Sequence, residues 1–277
     1  MTDRPPAVEI VAAGNEVLLG DVLDTNTNWL CRQITALGGQ VRRTVLVRDD
    51  VSAIADEVRA AVARRPALLL TVGGLGPTND DTTLAGVAAG VGRPLELHPE
   101  AERMVAEKYV EFAARGFVPF AEMNEARRKM AVLPRGARPL INPIGGAPAV
   151  LLEIDATAIV SLPGVPEELY AIVEESMNDI LGRIFARAHY EQRVLVVGLQ
   201  DESAIADVLA RAEAAHPLVY IKSRAVVMGA ERVLRVTLSA RGADKVTLDA
   251  LLTAPERDIT QEVGAAGYAV RRESRSE

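Results

Sequence analysis

Apolar and polar positions along the first 95 residues switch between two periods. Val8 to Ala13 is a short apolar run of strand length, and Leu30, Ile34 and Leu37 then recur at helical spacing until Gly38 and Gly39 end the helix. Val41 to Val47 predicts a second strand. Ile54, Val58 and Val62 mark a second helix ending near Pro66, and Ala67 to Val72 is a continuous apolar run of the kind seen in a strand buried on both faces. Leu84, Val87, Ala88 and Val91 carry a third helix. Strands and helices that alternate across short connections require right-handed crossovers and a mainly parallel sheet, so the fold class is α/β. Ligands of such sheets sit beyond the carboxyl ends of the strands. That rule singles out the loops Gly14 to Asn28 and Gly73 to Thr83, with a later loop beside them.

Pro99 to Arg115 reads as an exposed helix with interspersed charges. Pro134, Pro139, Pro143, Pro148, Pro163 and Pro166 then leave room only for short strands, chiefly Ala149 to Ile154 and Thr157 to Leu162, before a closing helix from Glu167 to Arg187. The polar segment Ala188 to Arg193 marks a domain boundary. After it come a strand (Val194 to Leu199), a helix (Ala204 to Ala214), strands near Leu218 to Ile221 and over Arg232 to Ser239, and a helix near Leu248 to Val263. These make a small two-layer α+β unit. The expected organisation is a large domain over residues 1–187, a small one over 193–270 and a charged, disordered tail over 271–277.

The chain has 277 residues, 49% hydrophobic and 25% charged, the composition of an ordinary soluble protein. Its net charge of -7 disfavours a protein whose whole surface tracks a nucleic-acid backbone, although it permits a local basic patch. Cys31 is the single cysteine and the three histidines are far apart, which excludes an intramolecular disulfide, a cysteine-based zinc site and a His-rich metal motif. Met1 to Gly20 lacks the basic end and apolar run of a signal peptide, and no apolar stretch is long enough to cross a bilayer. The expectation is a cytoplasmic protein with no membrane partner.

The richest segment runs from Thr71 through Gly73, Gly74, Gly76 and Thr78 to Asp80, Asp81 and Thr83. A buried strand leads into three glycines, which let backbone approach a ligand, and then into a helix whose free N–H groups favour an anion. It lacks the endings of a P-loop and of the dinucleotide fingerprint. Thr78 with Asp81 also matches a helix cap, but one cap needs one acid, and Asp80 is left over. Two carboxylates beside a phosphate oppose it, since unit charges about 4 Å apart interact at roughly 4 kcal/mol for an effective dielectric near 20. The loop contains no lysine, so a divalent metal on oxygen ligands, Mg²⁺ or Mn²⁺, is the economical bridge. Glu16 and Asp24 lie in the first loop, where Asp24, Thr25 and Asn26 all suit a helix N-cap. Asn142, Gly145 and Gly146, and the later Leu162 to Glu168, taken alone are rigid turns.

Together these segments resemble the N-terminal part of the competence/damage-inducible protein A (CinA) family, of the molybdopterin-binding, MoaB/MogA-like superfamily. The resemblance rests on Gly14-Asn15-Glu16 with Leu18, Leu19 and Gly20; Asp24-Thr25-Asn26; Gly73 to Thr78 with Asp80-Asp81; Asn142, Gly145, Ala147 and Pro148; and Leu162 to Val165 with Pro166 and Glu168. It implies a three-layer molybdopterin-binding-like domain, with a KH-like second unit recognisable at Gly198 and Glu202-Ser203. It also implies a homodimer and metal-dependent cleavage of ADP-ribose to AMP and ribose 5-phosphate, with Mg²⁺, Mn²⁺ or Co²⁺ and a monovalent cation as cofactors. In that reading Asp80 and Asp81 hold metal, with Glu16 or Asp24 assisting. Gly73, Gly74, Gly76, Thr78, Asn26, Asn142, Gly145 and Gly146 hold the nucleotide. The family's C-terminal amidase domain is expected to be missing from this short form, so deamidation is not transferred. Gly146 stands where the family pattern has Thr, and Ala149-Val150 where Gly-Phe is usual. No Nudix-type Glu-rich helix is present, so diphosphate cleavage would use a different site. The alternatives are a pterin-phosphate binder or adenylyl transferase of molybdenum-cofactor metabolism, and a non-catalytic interaction protein. Nucleic acid is an unfavoured partner: the one Gly-x-x-Gly spacing of the second unit, Gly264 to Gly267, has no lysine beside it.

Overall fold

The computed structural model describes residues 5–185, 189–199, 201–228, 231–242 and 244–273. Among the described residues, 6–35 and 40–185 form a large compact unit, and a small one takes in residues 36–39 and the chain from 189 onward. The large unit is α/β. Its strands are β1 (Ala7–Ala13), β2 (Gln40–Val47), β3 (Leu68–Val72), β4 (Leu95–Leu97), β5 (Val132–Pro134), β6 (Arg138–Leu140), β7 (Ala149–Ile154) and β8 (Thr157–Leu162). Its helices are α1 (Asn15–Leu18), α2 (Thr25–Ala36), α3 (Val51–Ala63), α4 (Thr83–Gly90), α5 (Pro99–Ala114), α6 (Glu125–Lys129), α7 (Pro166–Ala171) and α8 (Asn178–Phe185). Periodicity predicts most of these elements to within a few residues.

The main sheet runs β2-β1-β3-β8-β7-β6. Its first four strands are parallel, and β7 and β6 turn back antiparallel. All of β3 and β8 is buried, as their mainly apolar composition suits strands covered on both faces, and their polar members are paired: Thr71 donates to Ser161 Oγ at 2.8 Å and Thr157 to Pro66 O at 2.7 Å. Ile54, Val58 and Val87 of α3 and α4 pack with Val11, Leu69 and Ile159 of the sheet. Trp29 of α2 stacks on Tyr170 of α7, ring centroids 4.3 Å apart. The chain leaves β1 toward β2 and then crosses back over β1 to β3, so the switch point of the sheet lies between the carboxyl ends of β1 and β3.

Two expectations change here. The single helix predicted from Glu167 to Arg187 is α7, a π-helical turn over Ile172–Ser176, and α8; residues 186 and 187 lie outside the described residues. Apolar periodicity continues through a widened turn, so it does not reveal one. The short elements β4, β5, β6, α1 and α6 carry too few residues for a period to show.

The small unit is an antiparallel sheet, β10-β11-β9-β12, with helices. Its elements are β9 (His189–Val197), a 3-10 turn (Glu202–Ile205), α9 (Ala206–Ala215), β10 (Tyr220–Met228), β11 (Glu231–Gly242), α10 (Lys245–Ala265) and β12 (Val270–Arg272). Leu195, Val197, Val236 and Leu238 form its core with Leu209, Leu252 and Ile259 of the helices. Residues 189–193, read as a linker, are the first half of β9: Tyr190 pairs with Arg241, and the buried Arg193 donates to Glu256 of α10 at 2.6 Å and to Asp249. Position 188 lies outside the described residues. Arg271 and Arg272, assigned to a disordered tail, pair with Val196 and Leu195 in β12; residues 274–277 of that tail lie outside the described residues. Charge alone does not release a chain from a sheet edge when its backbone finds partners.

Gly86 shows how tightly α4 sits on α3. A methyl group there would lie 2.5 Å from Cβ and Cγ2 of Ile54, which is fully buried. Gly86→Ala gains about 1 kcal/mol of helix propensity but overpacks the contact by about 1–3 kcal/mol. A net loss of stability is expected in urea unfolding, and a gain would show that the two helices can separate freely.

Candidate functional site

The exits of β1, β2, β3 and β8 converge at the carboxyl edge of the sheet. Gly14 donates its N–H to Val47 O at 3.2 Å, and Gly73 donates to Leu162 O at 2.9 Å. Gly73 has φ +94°, and a Cβ on it would fall 2.3 Å from Ala13 O. No other residue type fits there. Asn26 of α2 donates its Nδ2 to Gly164 O at 2.7 Å, tying the first loop to the loop after β8.

The glycine loop is folded around its own acids. Asp81 Oδ2 accepts from Thr78 N at 2.8 Å and from Thr78 Oγ1 at 2.5 Å, and Asp80 Oδ1 accepts from the same hydroxyl at 2.5 Å. A Cβ at Gly76 would lie 2.6 Å from Asp81 Oδ2, so Gly76 is what lets the carboxylate fold back. The Thr78 hydroxyl and the neighbouring Lys129 charge hold Asp80 below the usual carboxylate range. The amides of Gly74, Leu75 and Gly76 find no acceptor among the described residues.

The loop itself contains no lysine, but the tertiary structure brings one to it. Lys129, from α6, donates to Thr78 O and, at 2.8 Å, to Asp81 O. A cation therefore sits beside the glycines without a metal. Among the described residues no three His, Cys, Asp or Glu side chains group closely enough to hold a metal ion. The donor set does not make a metal centre, so no metal-dependent step is derived from it.

Asp49, which follows β2, is an acid that sequence reasoning missed. It accepts from Asn15 N at 2.7 Å. Burial raises its pKa, the Asn15 hydrogen bond opposes that rise, and the charges of Glu16, Asp80 and Asp81 add to it. Four acids from three loops therefore feel one another. The missed signal is the one used for Asp80 and Asp81: Asp50 caps α3, accepting from Ala53 N at 2.9 Å, and leaves its neighbour over. Glu16 lies in α1 with its carboxylate folded against Gly14. Asp24 is engaged as a cap, accepting from Thr27 N at 2.9 Å.

Among the described residues, four buried polar atoms around this edge have no partner: Asn26 Oδ1, Thr27 Oγ1, Thr82 Oγ1 and Thr83 Oγ1. Asn26 is 8% exposed and Thr83 1%, so water offers neither atom much compensation. Thr83 Oγ1 lies where a Cβ on Gly74 would need to be, 2.5 Å away.

Asn142, Gly145 and Gly146 face a different cavity, of about 300 Å³, between their loop and α5. Asn142 donates to Ala147 O at 2.8 Å and to Glu168 Oε2 at 2.7 Å, and accepts from Gly145 N at 2.8 Å. Desolvation raises the pKa of Glu168. Lys108, missed by sequence reasoning, donates to Pro143 O at 2.9 Å. A second cavity, of about 420 Å³, is lined by Gly74, Gly76, Asp81, Arg128 and Lys129. Leu75 and Ala147 meet in one small core with Val105 and Met130, so the two cavities flank shared packing.

Because the folded-state pKa of Asp49 is raised, its contribution favours the fold below the ordinary carboxyl range and is lost as pH rises through the folded value. Asp49→Asn keeps an acceptor for Asn15 N and removes the charge. Its melting midpoint is expected above wild type at pH 7, with the gap closing as the pH falls toward 4; a gap that persists in acid would assign the effect to packing.

Residues 9–183 match the family model described as "Probable molybdopterin binding domain". A protein of Aeropyrum pernix is 42% identical over 222 residues, 80% of each chain, and one of Pyrococcus horikoshii is 39% identical over 201 residues, 73% of this chain and 77% of its own. The crystal structure of a CinA protein of unknown function from Thermoplasma acidophilum is 32% identical, with a TM-score of 0.57, covering 63% of this chain and 98% of that one. With its parallel sheet, glycine-rich exit of β3 and matched length, this chain belongs to the molybdopterin-binding domain family as a CinA-like member.

Proposed function

We propose that the large unit binds a phosphorylated pterin of the molybdopterin class, its phosphate on the amides of Gly74, Leu75 and Gly76 with Lys129 beside it. The observation that carries this reading is those three consecutive amides with no acceptor, placed next to a lysine at the exit of β3. Oriented backbone donors with an adjacent cation are what a phosphate requires. The cavity of about 420 Å³ next to them has the volume of a small-ligand site and adds Arg128. The unpartnered Asn26 Oδ1 accepts hydrogen bonds, which suits the amino and ring N–H groups of a pterin. The family description supports the choice of pterin over other phosphorylated ligands.

A second reading, cleavage of a nucleotide-sugar diphosphate such as ADP-ribose, has one observation in its favour. Asp49, its pKa raised and three other acids nearby, has the character of a general base. The two readings separate in one comparison. Saturating molybdopterin is expected to raise the melting midpoint more than ADP-ribose does, and Lys129→Ala to weaken that ligand by about 10- to 100-fold, the size of a lost charge-assisted hydrogen bond. Absence of any shift with molybdopterin removes the first reading. Release of AMP from ADP-ribose in the presence of Mn²⁺, Co²⁺ or Mg²⁺ would install the second.

A further inference from the structure

The sheet of the small unit packs one face on its helices; on the other, Val194, Val196, Val233 and Ser239 are buried along the central strands, while Tyr220, Lys222 and Arg224 on β10 and Arg271 on β12 are exposed at the edges. Leu195, Val197, Leu234, Val236 and Leu238 point to the helical core, so alternation places their neighbours on the opposite face. One row crosses all four strands there: Arg224 on β10 is opposite Arg235 on β11, Arg235 is opposite Val196 on β9, and Val196 is opposite Arg271 on β12. Lys222, opposite Thr237, follows in the next row, and Tyr220, opposite Ser239, in the one after. Lys222, Arg224 and Arg271 are exposed and form no ion pair among the described residues. Glu273 is the one acid among the described side chains of this face, and it pairs with Arg235.

This arrangement does not stabilise the sheet. Like charges directly opposite each other on neighbouring strands repel, and Arg224 faces Arg235 in that way. Lys222 and Arg224, alternate residues of β10, lie about 6.8 Å apart and Arg224 and Arg235, on adjacent strands, about 4.8 Å apart, while the buried Val196 separates that group from Arg271 at the other edge. Beside them the ring of Tyr220 is 63% exposed, a flat aromatic surface with an apolar body left in water. Cations spaced along a face with an open aromatic among them match a phosphodiester chain with stackable bases better than an acidic peptide, which has no use for the ring.

We propose that this face binds single-stranded nucleic acid along its exposed cations, with Lys222, Arg224 and Arg271 on phosphates and Tyr220 stacking a base. The binding is independent of sequence, because the contacts these side chains offer are to phosphates and to the flat face of a base. It does not use a Gly-x-x-Gly grip: the Gly264 to Gly267 segment closes α10, which runs to Ala265. The low overall charge does not prevent it, since counterion release depends on local contacts.

The test is fluorescence anisotropy of the full chain with a labelled single-stranded RNA of about 20 nucleotides and the DNA of the same sequence. Three phosphate contacts give a slope of about -2 in log affinity against log salt, or roughly 20-fold weaker binding between about 50 and 200 mM salt. Arg224→Glu and Arg271→Glu are each expected to lower the slope by about one. Tyr220→Ala should cost about tenfold in affinity with the slope unchanged. Arg224→Glu replaces a like-charge pair by an opposite one, so its melting midpoint stays at or above wild type while binding falls, which separates lost contact from lost fold. No anisotropy change up to about 100 μM protein at low salt would overturn the proposal. Binding untouched by the three substitutions, tighter binding to the duplex of the same sequence, or a preference for anionic phospholipid vesicles over RNA would each do the same.

Discussion

The exits of β1 and β3 can meet only because Gly73 has no side chain. Its backbone passes so close to Ala13 that a Cβ would overlap the carbonyl oxygen, and its N–H is committed to Leu162 O across the next strand. One residue thus locks three parallel strands at their carboxyl ends, at the point where the order of the sheet reverses. Everything downstream is placed from that lock. Gly74 can turn under Thr83, the loop amides have no acceptor among the described residues, and Asn26 reaches Gly164 to tie the first loop to the loop after β8. The site is a property of backbone packing first and of side-chain chemistry second.

The electrostatics of that edge are a balance between acids held close together and one distant lysine. Burial raises the pKa of Asp49, and the charges of Glu16, Asp80 and Asp81 add to that rise. The carboxylates of Asp80 and Asp81 accept from the Thr78 hydroxyl, and Asp81 also from the Thr78 amide, while Lys129 binds the loop carbonyls beside them. Because those carboxylates are turned inward onto Thr78, they leave the glycine amides free for an anion. In this fold the twin acids brace the turn that carries the glycine amides.

How far the order of residues reveals the structure depends on the range of the interaction. β1, β3, β7, β8, α3, α4 and α5 are readable because each carries its own period or apolar run and its own breaker. The capping role of Asp24 is readable for the same reason, being settled within three residues. Lys129 is not, since it reaches the loop from 48 residues away and α6 has nothing local that points there. Asp49 lies between: the surplus acid beside a cap was visible, but its proximity to Glu16 and Asp81 is a consequence of strand order. The first half of β9 failed for another reason. Arg193 reads as exposed until Asp249 and Glu256 are known to meet it, because burial of a charge depends on its partner and not on its own chemistry.

Net charge illustrates the same limit. A chain at -7 looks unsuited to a polyanion, yet that sum averages over surfaces that a partner never touches together. Alternation along β10, β11 and β12 collects Lys222, Arg224, Arg235 and Arg271 on one face, while the acids of the small unit cap helices or pair with buried and edge arginines. The strand period that hides apolar residues in the core necessarily sorts the remaining residues outward. Whether that sorted set is cationic is decided by side chains at alternate positions, which a composition count cannot see. Arg235, opposite Arg224, is matched by Glu273, whereas Lys222, Arg224 and Arg271 form no ion pair among the described residues, so their charge is left for something outside the sheet.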